Sequence, residues 1–263
     1  MMKYIKLLRF ELKNIIREPM TMIMLLYPLL MIGIGAFVIP TLIGNYADSQ
    51  PNQELVSLVV IVVFSNIAPF VTAAMLGFNL LDHKDENTLD TIRVTPLSLR
   101  GYVTFKAFYA YLISVNASFW SLQGTKLLSG DNYTFGGVNL WELFELHHIL
   151  IYALVAGLFT PVFGLILSAF ARNKIEGFAF MKISGIIALL PVLIVLEGMQ
   201  DFKQYFLGVF PTFWSTKGLM VSSDLLSHQH NISVVLYMII GIGYSLTLTI
   251  LSYHIFENRL NNK

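Results

Sequence analysis

The side chains of this sequence that could do chemistry are a few polar residues set inside long apolar stretches. Asn66, Thr72 and Asn79 recur at helical spacing, with Pro69 between the first two, so an α-helix would carry them on one side. Ser114 and Ser118 are one helical turn apart in the next apolar stretch. Polar groups at membrane depth tend to face a bundle interior or a cavity. We expect these residues to line a substrate pathway or a two-fold subunit interface; ordinary interhelical hydrogen bonding is the alternative.

Other kinds of chemistry find little support. The chain has no cysteine, which excludes a disulfide framework, a thiolate metal site and a cysteine nucleophile. The pairs His147-His148 and His228-x-His230 lack the His-x-x-x-His spacing of a helical metal site, so we expect no metal and no catalytic residue. No G-x-x-x-x-G-K-[ST] loop is present either, and we expect this chain to bind no nucleotide or other cofactor itself.

The composition indicates the environment in which these residues lie. Of the 263 residues, 56% are hydrophobic and 13% are charged, and the mean hydropathy is +0.67. A soluble domain carries about 25% charged residues. The composition therefore excludes a disordered chain, a nucleic-acid binder and an ordinary soluble enzyme, and it predicts a membrane protein.

Six stretches could cross a bilayer, for which a helix needs about 20 apolar residues. They predict an all-α polytopic membrane protein with six transmembrane helices at about 20–43, 55–81, 102–122, 149–170, 178–196 and 232–256. The third and fifth stretches include Lys106 and Lys182, whose long side chains we expect to extend to the membrane interface.

The basic residues lie in alternate loops. The N-terminal segment, the loops after the second and fourth spans, and the C-terminus together hold 12 of the 17 lysines and arginines. The positive-inside rule then predicts a multi-pass protein of the cytoplasmic membrane with both termini cytoplasmic. Trp120, Trp141 and Trp214 all fall on the outer side, where we expect them to form an aromatic belt.

The segment before the first span is amphipathic. Residues 3–18 place apolar side chains at helical spacing, with Arg9, Lys13 and Arg17 among the basic residues beside them. Such a helix lies on the membrane surface and contacts anionic lipid headgroups. It either anchors the N-terminus only or also forms a docking surface for a cytoplasmic partner.

The loop at residues 82–101 is cytoplasmic in this topology and dense in charge. Its first half predicts a short helix that ends before Pro96, and a solvated connecting helix is the simplest interpretation of its composition. Glu86-Asn87-Thr88-Leu89 followed by Thr95-Pro96-Leu97-Ser98 resembles the Glu-x-Gly-Thr-Leu and Thr-Pro-Leu-Ser signature of ABC-2 type transporter permeases. Asn87 replaces the glycine that is common in that family.

This resemblance implies the transmembrane domain of an ABC-2, or type V, exporter. Residues 3–18 would be the elbow helix, and the loop at 82–101 would contain the coupling helix that inserts into an ATPase subunit. Glu86, Thr88 and Leu89 would lie near that contact.

The outer segment at residues 197–231 resembles the Pro-x-x-Trp region of the same family at Phe210, Pro211 and Trp214. We expect it to form a re-entrant or interfacial hairpin that covers the pathway exit. A compact loop packed on the outer ends of the spans is the alternative.

By the same resemblance, the chain is a non-catalytic permease subunit. It would pair with a second copy or a homologous permease and with two copies of an ABC ATPase, which would hold ATP and Mg²⁺. The complex would export an amphipathic drug, antimicrobial peptide or lipid-like molecule and so confer resistance.

Two other functions remain open. An ion-coupled secondary transporter would need buried ionisable residues or interrupted helices, and acidic residues are absent from the predicted spans. A non-transporting immunity or scaffold protein would show no dependence on a cytoplasmic ATPase.

Overall fold

The computed structural model of the chain describes residues 19–46, 50–86, 88–93, 98–135, 137–199, 201–224 and 231–261. The predicted elbow helix at 3–18, with Arg9, Lys13 and Arg17, lies outside the described residues, as do Asn87, Thr95 and Pro96 of the predicted coupling loop. The described part of the chain is almost entirely helical.

Ten α-helices occur in these ranges. They are α1 (Pro19–Gly33), α2 (Ile39–Tyr46), α3 (Gln50–Asp85), α4 (Thr88–Arg93), α5 (Leu99–Ser129), α6 (Leu146–Ala156), α7 (Phe159–Phe170), α8 (Lys174–Ala188), α9 (Pro211–Ser222) and α10 (Val234–Asn261). Short 3-10 helices occupy Gly130–Tyr133, Leu190–Val195, Glu197–Met199 and Phe202–Val209. Two short antiparallel strands, β1 (Thr134–Phe135) and β2 (Val138–Asn139), form a small hairpin after α5.

Five helical stretches among the described residues are long and apolar enough to cross a membrane. They are Leu25–Gly44, Gln53–Asp85, Leu146–Phe170, Lys174–Val195 and Val234–Leu260. This confirms an all-α polytopic membrane protein. The remaining predicted span, 102–122, lies within α5, a continuous helix of 31 residues and about 46 Å whose composition is too polar for this group.

Two predicted spans differ from the sequence expectation because of proline residues and, in one of them, a helix cap. Span 149–170 is divided between α6 and α7, since Pro161 has no N–H to donate to the Gly157 carbonyl, which accepts from the Thr160 amide at 3.0 Å instead. Span 178–196 begins earlier, at Lys174, where the Asn173 side chain accepts from the Glu176 amide at 3.0 Å. Pro191 then changes its last turns to a 3-10 helix.

The first span contains a π-helical turn at Ile34–Val38, which joins α1 to α2. Beside this turn, the buried Tyr133 hydroxyl donates to the Gly35 carbonyl at 2.6 Å. The segment between α5 and β1 is therefore fastened to the first span.

The centre of the bundle is α3, which packs against both α7 and α5. Gly77 and Gly164 allow α3 and α7 to approach closely, because a Cβ at Gly164 would lie 2.8 Å from the Leu76 side chain and 2.9 Å from the Ala73 carbonyl. Around this pair, α1 packs on α5, α8 packs on α3, and α10 packs on α7 and α9.

Charged side chains gather at one end of the bundle. Lys174 and Asp82 form an ion pair at 2.9 Å, and Arg100 and Glu257 form one at 3.3 Å. The first pair joins the end of α3 to the start of α8, and the second joins the start of α5 to the C-terminal part of α10. The predicted topology places all four on one side of the membrane. That this end faces the cytoplasm stays a prediction.

The opposite end is aromatic, although not as a belt. Trp141 is only 1% exposed and packs between Tyr133 and Phe144, with ring centroids 5.8 and 6.0 Å away. Trp214 is half-buried, whereas Trp120 is 51% exposed. The belt expectation therefore fails for Trp141, whose ring stabilises the outer loop instead of facing headgroups.

We predict that Gly164→Ala lowers stability, since the new methyl group would press on backbone as well as on Leu76. The expected cost is about 1–3 kcal/mol. Gly243→Ala in α10 is the matched control, because a Cβ there has no neighbour within 4 Å. Thermal unfolding of both variants in mild detergent checks this. Equal midpoints for the two variants would contradict the close contact of α3 and α7.

Candidate functional site

The polar residues of α3 lie inside the bundle, where they contact other helices of the same chain. Asn66 Nδ2 donates to Thr216 Oγ1 at 3.0 Å, and Thr216 Oγ1 donates to Asn66 Oδ1 at 3.2 Å. Both side chains are buried. This reciprocal pair joins α3 to α9, a helix of the outer segment.

A second polar contact lies deeper along α3. The hydroxyls of Thr72 and Thr160 are 3.3 Å apart, and Thr160 Oγ1 also lies 3.3 Å from the Pro69 carbonyl, to which it donates. Pro69 has no N–H for the Ser65 carbonyl, and the Tyr152 hydroxyl donates to that carbonyl instead. Side chains from α6 and α7 thus satisfy backbone and hydroxyl groups at the proline of α3.

The third residue of this face, Asn79, accepts a hydrogen bond from Lys106 Nζ of α5. Lys106 is only 2% exposed, and its amine lies 5.6 Å from the centre of the Tyr102 ring. The expectation that the Lys106 side chain extends to the membrane interface is therefore wrong. An amide oxygen and an aromatic face within the bundle stabilise the charge instead.

Ser114 and Ser118 of α5 are fully buried, as is Ser121 on the same face. Their hydroxyls have no hydrogen-bond partner in the described part of the chain. Buried hydroxyls are normally hydrogen-bonded. These three therefore form a row of polar groups inside the bundle whose hydrogen bonds are not satisfied within the described part of the chain.

Lys217 of α9 is a further buried polar group. Within the described ranges its amine meets no hydrogen-bond partner, although the side chain is fully buried. The helix α9 is not one of the five candidate spans. Burial lowers the pKa of the Lys217 amine to about 8, because the charged form loses its hydration.

These positions bear on the predicted pathway. Asn66 and Thr72 are enclosed within a single chain, so a pathway or a subunit interface could reach them only after the helices rearrange. Their contacts are those of interhelical hydrogen bonding, the alternative that the sequence left open. A transport role for the five polar residues stays a prediction.

In the predicted coupling loop, the described residues differ in accessibility. Glu86 is exposed and Thr88 is half-buried, whereas Leu89 is 2% exposed and packs in a cluster with Tyr102 and Val103 of α5. Leu89 therefore attaches the short helix α4 to the bundle and is not available to a partner surface. Glu86 and Thr88 remain accessible.

The outer segment lies against the inner helices. Its helix α9 runs antiparallel to α10, because Gly218 lies against Met238 while Trp214 lies against Gly241. Trp214 Nε1 donates to the Gly208 carbonyl at 2.9 Å, which fixes the turn that precedes α9.

Phe210 and Pro211, at the start of α9, line a cavity of about 310 Å³. Leu248, near the middle of α10, lines the same cavity, so α9 begins at the depth of the centre of that helix. The cavity was not predicted, since its walls are mostly apolar and come from four separate parts of the chain.

Comparison with known proteins adds a family to this geometry. The family described as "Fluoroquinolones export permease protein Rv2686c-like" matches residues 11–253. The chain belongs to this family of export permeases. Membership is consistent with the ABC-2 type permease signature in the loop after α3.

Two relatives of this export permease are the fluoroquinolones export permease proteins Rv2686c and MT2760 of Mycobacterium tuberculosis, from strains H37Rv and CDC 1551. Each is 26% identical to the chain over 220 residues, which cover 82% of this chain and 81% of the relative. The match thus extends over most of both proteins.

Sequence reasoning missed several partners in the polar network of the permease. Thr160 and Thr216 lie far along the chain from the residues they contact, and Tyr152 is one of 12 tyrosines. One of these contacts had a signal in the sequence. Pro69 inside a span leaves a backbone carbonyl without its helical donor, so a neighbouring helix must supply one.

We predict that Asn66 and Thr216 are energetically coupled. Asn66→Leu and Thr216→Val should each destabilise the permease, and the double variant should lose less than the sum, with a coupling energy of about 0.6 and at most about 1.7 kcal/mol. Reversible unfolding in mixed micelles measures the cycle. Thr247→Val, at an exposed hydroxyl of α10, combined with Asn66→Leu is the additive control. Additivity of Asn66→Leu with Thr216→Val would show that the pair is not coupled.

Proposed function

We propose that the chain is the permease subunit of an ATP-driven exporter, in which a separate ABC ATPase binds ATP and Mg²⁺. Membership of an export permease family supports transport. The way in which the loop after α3 is attached to the bundle supports coupling to a separate ATPase. That loop presents the accessible Glu86 while Leu89 holds α4 against the bundle. A partner that moves α4 would therefore move the helices to which α4 is attached.

The contacts suggest how such a movement would spread. Leu89 packs on α5, and Asp82 at the end of α3 pairs with Lys174 at the start of α8. A push on α4 would thus act on three helices together. Closure of two ATPases would then switch a pair of permease subunits between inward and outward access, by rigid movement of packed helices.

The proposed topology has six spans, which are the five candidate spans and α5, the third in chain order. The polar side chains Ser114 and Ser118 face the interior, whereas Phe108, Leu112 and Trp120 are exposed on the outside of the bundle. A helix arranged in this way presents a mainly apolar surface to lipid, and the exposed Asn116 donates to the Leu112 carbonyl of the same helix at 3.0 Å. Its 31 residues are enough to cross the membrane.

The proposed substrate is an amphipathic aromatic drug of the fluoroquinolone class, by analogy with the printed names of the relatives. Antimicrobial peptides and lipid-like molecules are the other substrates that an exporter of this type could carry. We further propose that the functional unit contains two permease chains and two ATPases in the cytoplasmic membrane, and that it confers resistance.

An ion-coupled transporter is the second candidate, and the buried Lys106 beside Asn79 favours it. Transport into inverted vesicles distinguishes the two. An ATPase-driven exporter requires ATP and tolerates a protonophore, whereas an ion-coupled exporter has the opposite dependence.

The proposed topology predicts opposite accessibility for two positions. The natural chain has no cysteine, so Glu86→Cys and Glu142→Cys each introduce a single reactive thiol on an exposed site. A membrane-impermeant maleimide should label Glu142→Cys on intact cells and Glu86→Cys only in inverted vesicles. The natural chain is the unlabelled control. Labelling of Glu86→Cys from outside would reverse the assigned orientation.

The coupling role predicts a specific defect. Glu86→Arg should abolish stimulation of the partner ATPase by substrate and reduce transport at least about tenfold, because it reverses the charge of the accessible residue beside α4. Stability should change by less than about 0.5 kcal/mol, as is usual at an exposed position.

Glu142→Arg, the same exchange at the opposite end of the bundle, is the control and should transport normally. Coupled ATPase and transport assays on the reconstituted complex measure both variants. Normal transport by a folded Glu86→Arg complex would remove the coupling assignment.

A further inference from the structure

The cavity at the start of α9 has the size of a small-molecule site. Its volume of about 310 Å³ lies at the lower end of the range for such sites, roughly 300–1,000 Å³. Its walls come from α7, α8, α10 and the start of α9, so one chain forms it without a partner subunit. Asn66 and Thr72, the predicted pathway residues, are not among its lining residues.

The floor of the cavity is aromatic. Phe159 and Phe163 of α7 are nearly parallel, with ring centroids 5.6 Å apart and an angle of 14° between them. Phe163 and Phe180 continue the row at 5.9 Å and 25°. Phe210 adds a fourth ring from the outer segment. Aromatic pairs gain energy beyond the area that they bury, so this row favours a flat aromatic guest over an aliphatic chain.

The cavity also has polar groups in its walls. The hydroxyl residues Ser184 of α8 and Thr212 of α9 are both among its lining residues, at the mouth and at the floor respectively. The combination of apolar walls with a few placed polar groups is typical of sites that orient a small ligand. A guest with polar groups could therefore make hydrogen bonds as well as aromatic contacts.

The opening of the cavity lies on the side of the bundle. The floor residues Phe159, Phe163 and Thr212 are buried, whereas Phe180 and Ser184 are half-buried and Ile187 is exposed. Ile187 belongs to α8, one of the candidate spans, whose outward residues Ile183 and Ile186 are exposed apolar side chains. With α8 in the membrane, the entrance would open sideways toward lipid, beside the exposed Lys182.

We propose that this cavity binds the export substrate, a flat aromatic amphiphile that enters sideways from the membrane. The inference rests on the proposed function and adds the place of the site to it. Because Phe210 and Pro211 form part of the wall, movement of the outer segment changes the shape of the cavity. Substrate binding and the position of α9 are thereby linked.

The test uses the full chain in lipid nanodiscs and ciprofloxacin, a fluorescent fluoroquinolone, as the probe. Ser184→Phe adds a ring at the mouth of the cavity, whereas Ile183→Phe adds the same ring at the adjacent residue, which is 66% exposed and does not line it. Fluorescence polarisation should show that Ser184→Phe raises the Kd at least about tenfold and that Ile183→Phe changes it less than about twofold.

Phe180→Leu is a second variant that preserves an apolar wall but removes one ring. It should weaken ciprofloxacin binding about twofold to tenfold, which is the range expected for one aromatic contact. This variant also carries the test if Ser184→Phe fails to fold.

The outcomes separate the site from the function. Tight binding by the natural chain that neither Ser184→Phe nor Phe180→Leu weakens would overturn the site while leaving the proposed exporter intact. No binding by the natural chain would overturn both the site and the proposed substrate class. A phospholipid that copurifies with the natural chain but is lost in Ser184→Phe, with ciprofloxacin binding unchanged, would identify an acyl-chain site and also overturn the proposal.

Discussion

The close contact of α3 with α7 is the constraint on which the rest of the bundle depends. Gly77 and Gly164 bring two helix backbones together so that a single added methyl group would collide with both side chain and backbone. In a membrane the hydrophobic effect does not press helices together, so packing at this distance must supply much of the attraction. The hydroxyls of Thr72 and Thr160 can meet because of it, and α8 and α10 are placed by the two helices that it joins.

A second constraint is that the polar groups of a span need hydrogen-bond partners that lipid does not provide. Several of these groups turn inward and find their partners on other helices. The carbonyl left free by Pro69 accepts from Tyr152, Asn79 accepts from Lys106, and Asn66 pairs with Thr216. Each bond crosses between helices that are distant in the chain, so the polar residues that weaken an individual span also specify which spans are neighbours. The buried hydroxyls of α5 belong to the same inward face.

Periodicity and charge predicted the helices because both depend on local composition. Five of the six stretches are confirmed as candidate spans, and two ion pairs place Lys174 and Arg100, from two of the basic segments, at one end of the bundle. What the sequence could not predict are contacts over long separations. Nothing in the local sequence indicated that α5 covers Leu89. Nothing local identified Asn79 as the hydrogen-bond partner of Lys106 either, so Lys106 was expected to reach water. The cavity could not be predicted from the sequence for the same reason, since its phenylalanines come from three different segments.

The bond from Tyr133 to the Gly35 carbonyl has a consequence for the order in which the protein is assembled. Among the described residues, the helices against which α1 mainly packs, α3 and α5, lie later in the chain, as does Tyr133, which bonds to the turn after α1. Because a chain is inserted from its N-terminus as it is made, α1 enters the membrane with none of these partners present. It must remain there on its own apolarity until about half of the chain has been synthesised and Tyr133 can close the contact. The contact at Gly35, near the middle of this span, is thus made only after α5 is complete.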